Sequence, residues 1–174
     1  MRKFRMIPVL LLAALFLSGC GSNPYEEGIE QLEAGKYKEA EASFKQSVKK
    51  EKHTADAYRG LGIALWEQQD YEGAKDALAN AVKEGSKKNG TLCNLLGSCE
   101  LELGNYKKAV KYYKEALEDE KNSKELIQEI EYNLIVSYEG AKNWEEARER
   151  LEKYIEKYPD DKQALKEQEF LETR

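Results

Sequence analysis

A short phrase recurs four times along this chain, and its spacing limits the fold more than any other feature. It reads Ala34-Gly35-Lys36-Tyr37-Lys38-Glu39-Ala40, then Gln69-Asp70-Tyr71-Glu72-Gly73-Ala74. It returns as Leu103-Gly104-Asn105-Tyr106-Lys107-Lys108-Ala109 and as Lys142-Asn143-Trp144-Glu145-Glu146-Ala147. The aromatic falls at 37, 71, 106 and 144, in steps of 34, 35 and 38. Such a period marks stacked supersecondary units, none of which buries its apolar face alone. With the aromatic numbered as slot 17, the units begin at Gly21, Ala55, Gly90 and Gln128. Slot 20 is then Ala40, Ala74, Ala109 and Ala147; slot 24 is Phe44, Leu78, Tyr113 and Leu151; slot 27 is Ser47, Ala81, Ala116 and Tyr154. Small side chains let helix backbones approach, and large ones fill the space between them. Three prolines and twelve glycines in 174 residues leave few turn signals and argue against a many-stranded fold.

The pattern resembles the tetratricopeptide repeat. That family prefers a bulky residue, then Leu-Gly, at slots 4, 7 and 8, and the second unit has Tyr58, Leu61 and Gly62 there. The third has Cys93, Leu96 and Gly97. The resemblance covers about 21–160 and implies an all-α, right-handed α-solenoid of helix–turn–helix units, each with an A and a B helix. The units span about 21–54, 55–89, 90–127 and 128–161, and residues 161–174 form a C-terminal capping helix. Asp161 suits an N-cap, and Ala164, Leu165, Gln168 and Leu171 give that helix a partly apolar stripe. The other reading of this helix is a surface offered to a second molecule. Four departures carry expectations. Pro24 and Glu27 at slots 4 and 7 place the start of the first helix near Tyr25. Ile135 and Tyr154, at slots that favour small residues, imply wider helix spacing in the last unit. Three extra residues within Glu118–Leu126 imply a longer loop or lengthened helices. The family's proline at slot 32 occurs only as Pro159.

Ahead of the repeats, Met1-Arg2-Lys3-Phe4-Arg5 leads into an apolar run from Met6 to Leu17. A basic start and a short apolar core are the pattern of a secretory signal, and a spanning helix needs about twenty such residues. Leu17-Ser18-Gly19-Cys20 then resembles the lipobox of bacterial lipoproteins, which implies cleavage of residues 1–19 and lipidation of Cys20. Residues 20–24 are left as a short tether. Each lipid methylene buried contributes about 0.8 kcal/mol, so two or more chains anchor a protein firmly. An ordinary cleavage after Gly19 fits poorly, because Leu17 is not small. The expected address is the cell membrane, lipid-anchored on the extracytoplasmic face, or the outer membrane where the cell has one. Removing Arg2, Lys3 and Arg5 moves the net charge from −5 to about −8. No basic patch supports nucleic-acid binding or attachment to anionic lipid by charge.

Catalytic and metal constellations are sparse. His53, the single histidine, falls between the first two units and reads as a solvated loop residue. Cys93 and Cys99 lie about 9 Å apart along a helix, too far for a disulfide, and read as buried thiols. The acidic runs Glu118-Asp119-Glu120 and Asp160-Asp161 lack metal-ligand spacing, and no phosphate loop or nucleophile motif occurs. Tyr37, Tyr71, Tyr106, Tyr58 and Tyr113 occupy packing slots and are expected in the core. No cofactor and no enzymatic activity are expected.

The concave face of such a solenoid is what remains. The resemblance implies that slots 5, 9 and 12 line it: Tyr25, Ile29 and Leu32; Arg59, Ile63 and Trp66; Asn94, Ser98 and Leu101; Tyr132, Val136 and Glu139. Slot 13 adds Glu33, Glu67 and Glu102 beside that stripe. Trp66 and Tyr132, if exposed, are typical binding anchors. An apolar lining with an acidic border suits a protein or peptide partner that is amphipathic and carries Lys or Arg. Tyr25 and Ile29 stand where the family's clamp for C-terminal carboxylates needs polar residues, so an acidic C-terminal peptide is not expected. Alternatively, slots 9 and 12 pack against neighbouring A helices, or the 161–174 helix fills the groove. The expected function is a non-enzymatic adaptor or assembly factor at the cell envelope. The alternative is a self-associating structural scaffold, a homo-oligomer joined through the last helix.

Overall fold

The structure, a computed structural model, describes residues 23–171 and 173. Residues 1–19, expected to form a signal segment, and Cys20 lie outside the described residues. Among the described residues every regular element is a helix. In order these are α1 (Pro24–Glu33), α2 (Tyr37–Lys49), α3 (Thr54–Glu67), α4 (Tyr71–Lys83), α5 (Gly90–Glu102), α6 (Tyr106–Leu117), α7 (Lys124–Gly140), α8 (Trp144–Lys157) and α9 (Lys162–Leu171). The chain divides into two compact bodies, one ending at Lys88 and the other beginning at Asn89. The first holds the pairs α1/α2 and α3/α4; the second holds α5/α6, α7/α8 and α9.

Each pair turns at slot 15 through a residue with positive φ: Gly35 (70°), Gln69 (65°), Gly104 (73°) and Lys142 (59°). The next N–H then reaches back to the helix it has left. Lys36 N donates to Gln31 O at 2.8 Å, Asp70 N to Leu65 O at 3.0 Å, Asn105 N to Glu100 O at 2.8 Å and Asn143 N to Tyr138 O at 2.9 Å. This satisfies carbonyls that a helix end leaves open. Side chains cap several helix starts: Asn23 accepts from Tyr25 N, Asp70 from Gly73 N, Asn89 from Leu92 N and Ser123 from Leu126 N.

In the first body α2 inserts the fully buried Phe44 between α1 and α3. A Cβ on Gly28 would lie 2.7 Å from Phe44 Cε1, and one on Gly60 closer still. Slot 24 therefore rests on bare backbone from its own A helix and from the next. Gly62 receives Leu78 in the same way, at 2.6 Å.

The second body repeats this contact where Gly97 meets the buried Tyr113, at 2.8 Å. Its last pair substitutes Ile135 against Leu151, both about 1% exposed. The extra residues before that pair lengthen α7 to 17 residues, against 13 in α5. α9 packs on α8 through Ala164 and Leu171, both buried, with Phe170 edge-on to Trp144 at 6.5 Å. Burying Leu171 contributes about 2 kcal/mol. Asp161 caps α9 by accepting from Gln163 N at 3.0 Å, and it also accepts from the Tyr154 hydroxyl at 2.8 Å.

The tyrosine expectation needs correction. Of those five, only Tyr113 is fully buried; Tyr37, Tyr58 and Tyr71 are half-buried and Tyr106 is 36% exposed. Slot 17 opens each B helix, so its ring lies at the rim of the pair. Cys93 and Cys99 are both buried on α5.

Candidate functional site

The second body contains a cleft of about 720 Å³, within the range of small-molecule and peptide-side-chain pockets. One wall is α7, which presents Tyr132, Val136 and Gly140 at i, i+4 and i+8, a single helical stripe. Gly140 has no side chain because the Tyr106 ring fills the space a Cβ would take. Leu101 and Glu102 from the end of α5, with Tyr106, form a second wall. α9 forms the third with Lys162, Gln163, Lys166 and Glu167.

Charge in the cleft is mixed. Desolvation pushes the Glu102 carboxyl above the usual carboxylate range. Lys162 and Lys166 are exposed on the α9 side. Tyr132 is only 2% exposed, its ring 5.7 Å from that of Tyr154. Burial first, and then the charge of Glu167, push its phenol above the ordinary range, while a hydrogen bond with Gln163 opposes them. Two expectations are corrected here. Tyr132 is a buried floor residue because α9 lies beside it, not an exposed anchor. The border is not wholly acidic, because α9 brings two lysines to it.

The structure brings together Leu101, Tyr132 and Val136 from the predicted stripe, but not Asn94, Ser98 or Glu139. Asn94 and Ser98 are buried at 3% and 0% exposure. Asn94 Nδ2 donates to Glu129 Oε1 on α7 at 2.8 Å, and Ser98 Oγ donates to Asn94 O and shares a 3.2 Å contact with the Tyr113 hydroxyl. These side chains join α5 to α6 and α7 instead of lining open surface. Glu139 is also buried, at 2%. Tyr106 and Gly140 were missed as cleft residues, although the pairing of slot 17 with slot 13 of the next unit gives them a sequence signature. The α9 residues were not named in advance: the alternative in which the 161–174 helix enters the groove allows for them, but helical periodicity does not say where a terminal helix docks.

In the first body the stripe lies on α1 and α3, which pack against each other. Ile29, Leu32, Ile63 and Trp66 are half-buried, Trp66 with Tyr71 edge-on at 5.9 Å. Tyr25 is half-buried and stacks on His53 at 4.8 Å. Burial, then the charge of Asp56, raise the Tyr25 phenol, opposed by Arg59. Arg59 is exposed and pairs with Asp56 at 3.3 Å. In the predicted acidic row, Glu67 interacts with the Tyr37 hydroxyl, and its charge is the main cause of that phenol's raised pKa. Glu33 is exposed. His53 is exposed, but it also precedes α3 with φ of 50° and carries the Tyr25 ring. Among the described residues no group of three His, Cys, Asp or Glu side chains is placed to hold a metal ion.

Two family models match the chain, both described as tetratricopeptide repeat. One matches residues 25–89 and 61–125, the other residues 100–167. No curated protein matches it. Among solved structures, MamA 41-end from Desulfovibrio magneticus RS-1 is 20% identical with a TM-score of 0.74, over 90% of this chain and 87% of that one. PilF of Pseudomonas aeruginosa is 20% identical with a TM-score of 0.69, over 85% of this chain and 65% of that one. YrrB, described as a TPR protein with an unusual peptide-binding site, is 23% identical with a TM-score of 0.58, over 84% and 90% of the two chains. Likeness at these identities establishes the fold class.

Proposed function

Because this chain belongs to the tetratricopeptide repeat family, whose members generally serve as protein-interaction scaffolds, we propose that it is a non-enzymatic adaptor or assembly factor that holds a protein or peptide at the cell envelope. The α5/α7/α9 cleft carries this reading. Its apolar lining combines Leu101 and Val136 in the walls with the Tyr132 ring at the floor, and its sides offer both carboxylate and ammonium groups. An amphipathic segment with apolar residues facing α7 fits it. A basic residue of that segment meets Glu102, and an acidic one meets Lys162 or Lys166. The half-buried apolar strip on α1 and α3 is a second contact surface, with Glu33 beside it favouring a basic neighbour.

The lipid anchor rests on Leu17-Ser18-Gly19-Cys20 and the basic-apolar leader before it. With only Gly21-Ser22-Asn23 between Cys20 and α1, the first helix stays close to the bilayer. The adaptor therefore works at the extracytoplasmic membrane surface. Val136 is half-buried in the cleft wall and tests the binding reading. In pull-downs from membranes, Val136→Glu loses the partner that the wild-type chain retains, with unchanged circular dichroism. Retention of the same partner by Val136→Glu rejects the cleft. Cys20→Ser moves the protein from the membrane to the soluble fraction; a variant that stays membrane-bound rejects the anchor.

A further inference from the structure

α6 is nearly all of one sign. It carries Lys107, Lys108, Lys111 and Lys114 against Glu115 alone, in a chain whose net charge is −5. All four lysines are exposed. Lys107, Lys111 and Lys114 stand at i, i+4 and i+7, on the face opposite the buried Ala109, Tyr113 and Ala116. Like charges at this spacing repel one another along the helix.

α8 carries the complement. Glu145, Glu149, Glu152 and Glu156 are exposed, opposite the buried Ala147, Leu151 and Tyr154. The first three repeat the i, i+4, i+7 spacing, and on each helix the stripe rises by about 10.5 Å. Both helices pack on α7.

We propose that the lysine stripe of α6 docks on the glutamate stripe of α8 in a second copy of this chain, and reciprocally, closing a two-fold dimer. Matched spacing sets Lys107, Lys111 and Lys114 against Glu145, Glu149 and Glu152 of the second copy. Reciprocity doubles the set of charge pairs, as a self-complementary interface requires. Existing pairs do not block it. Lys111–Glu115 at 3.8 Å and Lys153–Glu149 at 2.5 Å lie within one helix, and Lys114 Nζ stands 5.6 Å from the centre of the Tyr138 ring; each contact is weak and readily exchanged. Lys108 lies 3.7 Å from the buried Glu100 and takes no part. The interface involves neither the cleft nor α9, so its failure leaves the adaptor reading untouched.

The test is zero-length carbodiimide cross-linking of the full chain in membranes, because that reagent joins only touching lysine and carboxylate groups. The wild type gives a dimer band with α6–α8 links. K107E/K111E/K114E, which removes the reacting amines together with their attraction, lowers that band roughly tenfold. Adding E145K/E149K/E152K to the same chain restores it, which also excludes misfolding as the cause of the loss. A wild type without the dimer band, a lysine-reversed variant that keeps it, or a charge-swapped variant that fails to regain it overturns the proposal.

Discussion

Phe44 sets the packing of the first body at the scale of single residues. Its ring touches backbone on both sides, at Gly28 and Gly60, so the spacing of α1 and α3 is fixed by an absence of side chain. Gly60→Ala is therefore expected to destabilise the protein by about 1–3 kcal/mol through overpacking, read as a lower midpoint in urea unfolding. Asn133 is the opposite case. It is fully buried on α7, and neither side-chain polar atom has a hydrogen-bond partner among the described residues. Asn133→Leu keeps the volume, removes two desolvated polar atoms and is expected to raise stability by about 1–2 kcal/mol in the same measurement. The small-residue slots were legible in the sequence because close approach admits few side chains. Asn94 was not legible as a buried residue, and Ser98 only through the alternative in which slot 9 packs inward. Their slots suit an open groove, and only the partners on α6 and α7, Tyr113 and Glu129, show that they face inward.

Elements are set by turns and caps. Gly104 and Gly35 adopt positive φ where Gln69 and Lys142 do so with a side chain, so the turn tolerates a Cβ at some energetic cost. A Cβ on Gly104 would meet no atom within 4 Å. Gly104→Val is thus expected to lower stability by about 1–2 kcal/mol through backbone strain alone, without altering the cleft or the circular dichroism at low temperature. The four turns were legible from the recurring phrase, and Asp161 as a cap from its position before an amphipathic run. The extra residues before the last pair left loop and helix as equal readings; Ser123 decides it by capping α7 one turn early, at Lys124. The docking of α9 depends on Trp144–Phe170 and Tyr154–Asp161, contacts between residues whose pairing leaves no trace in periodicity.

For the whole molecule, repeat period and slot chemistry foretold an all-helical chain of paired helices, and the family matches agree over 25–125 and 100–167. The division into two bodies at Lys88 and Asn89 was not foretold, because the slot pattern runs on through that point without interruption. The proposed function rests on what the second body leaves open. α5, α7 and α9 enclose a cleft whose apolar floor is bordered by charges of both signs. Site-specific photo-cross-linking from position 136 in living cells reports on that cleft most directly. A photoreactive residue at Val136 should yield one dominant protein adduct, while the same residue at the exposed Lys124 of α7 yields none. Equal adducts from both positions, or no protein adduct from 136, would contradict a partner-binding cleft.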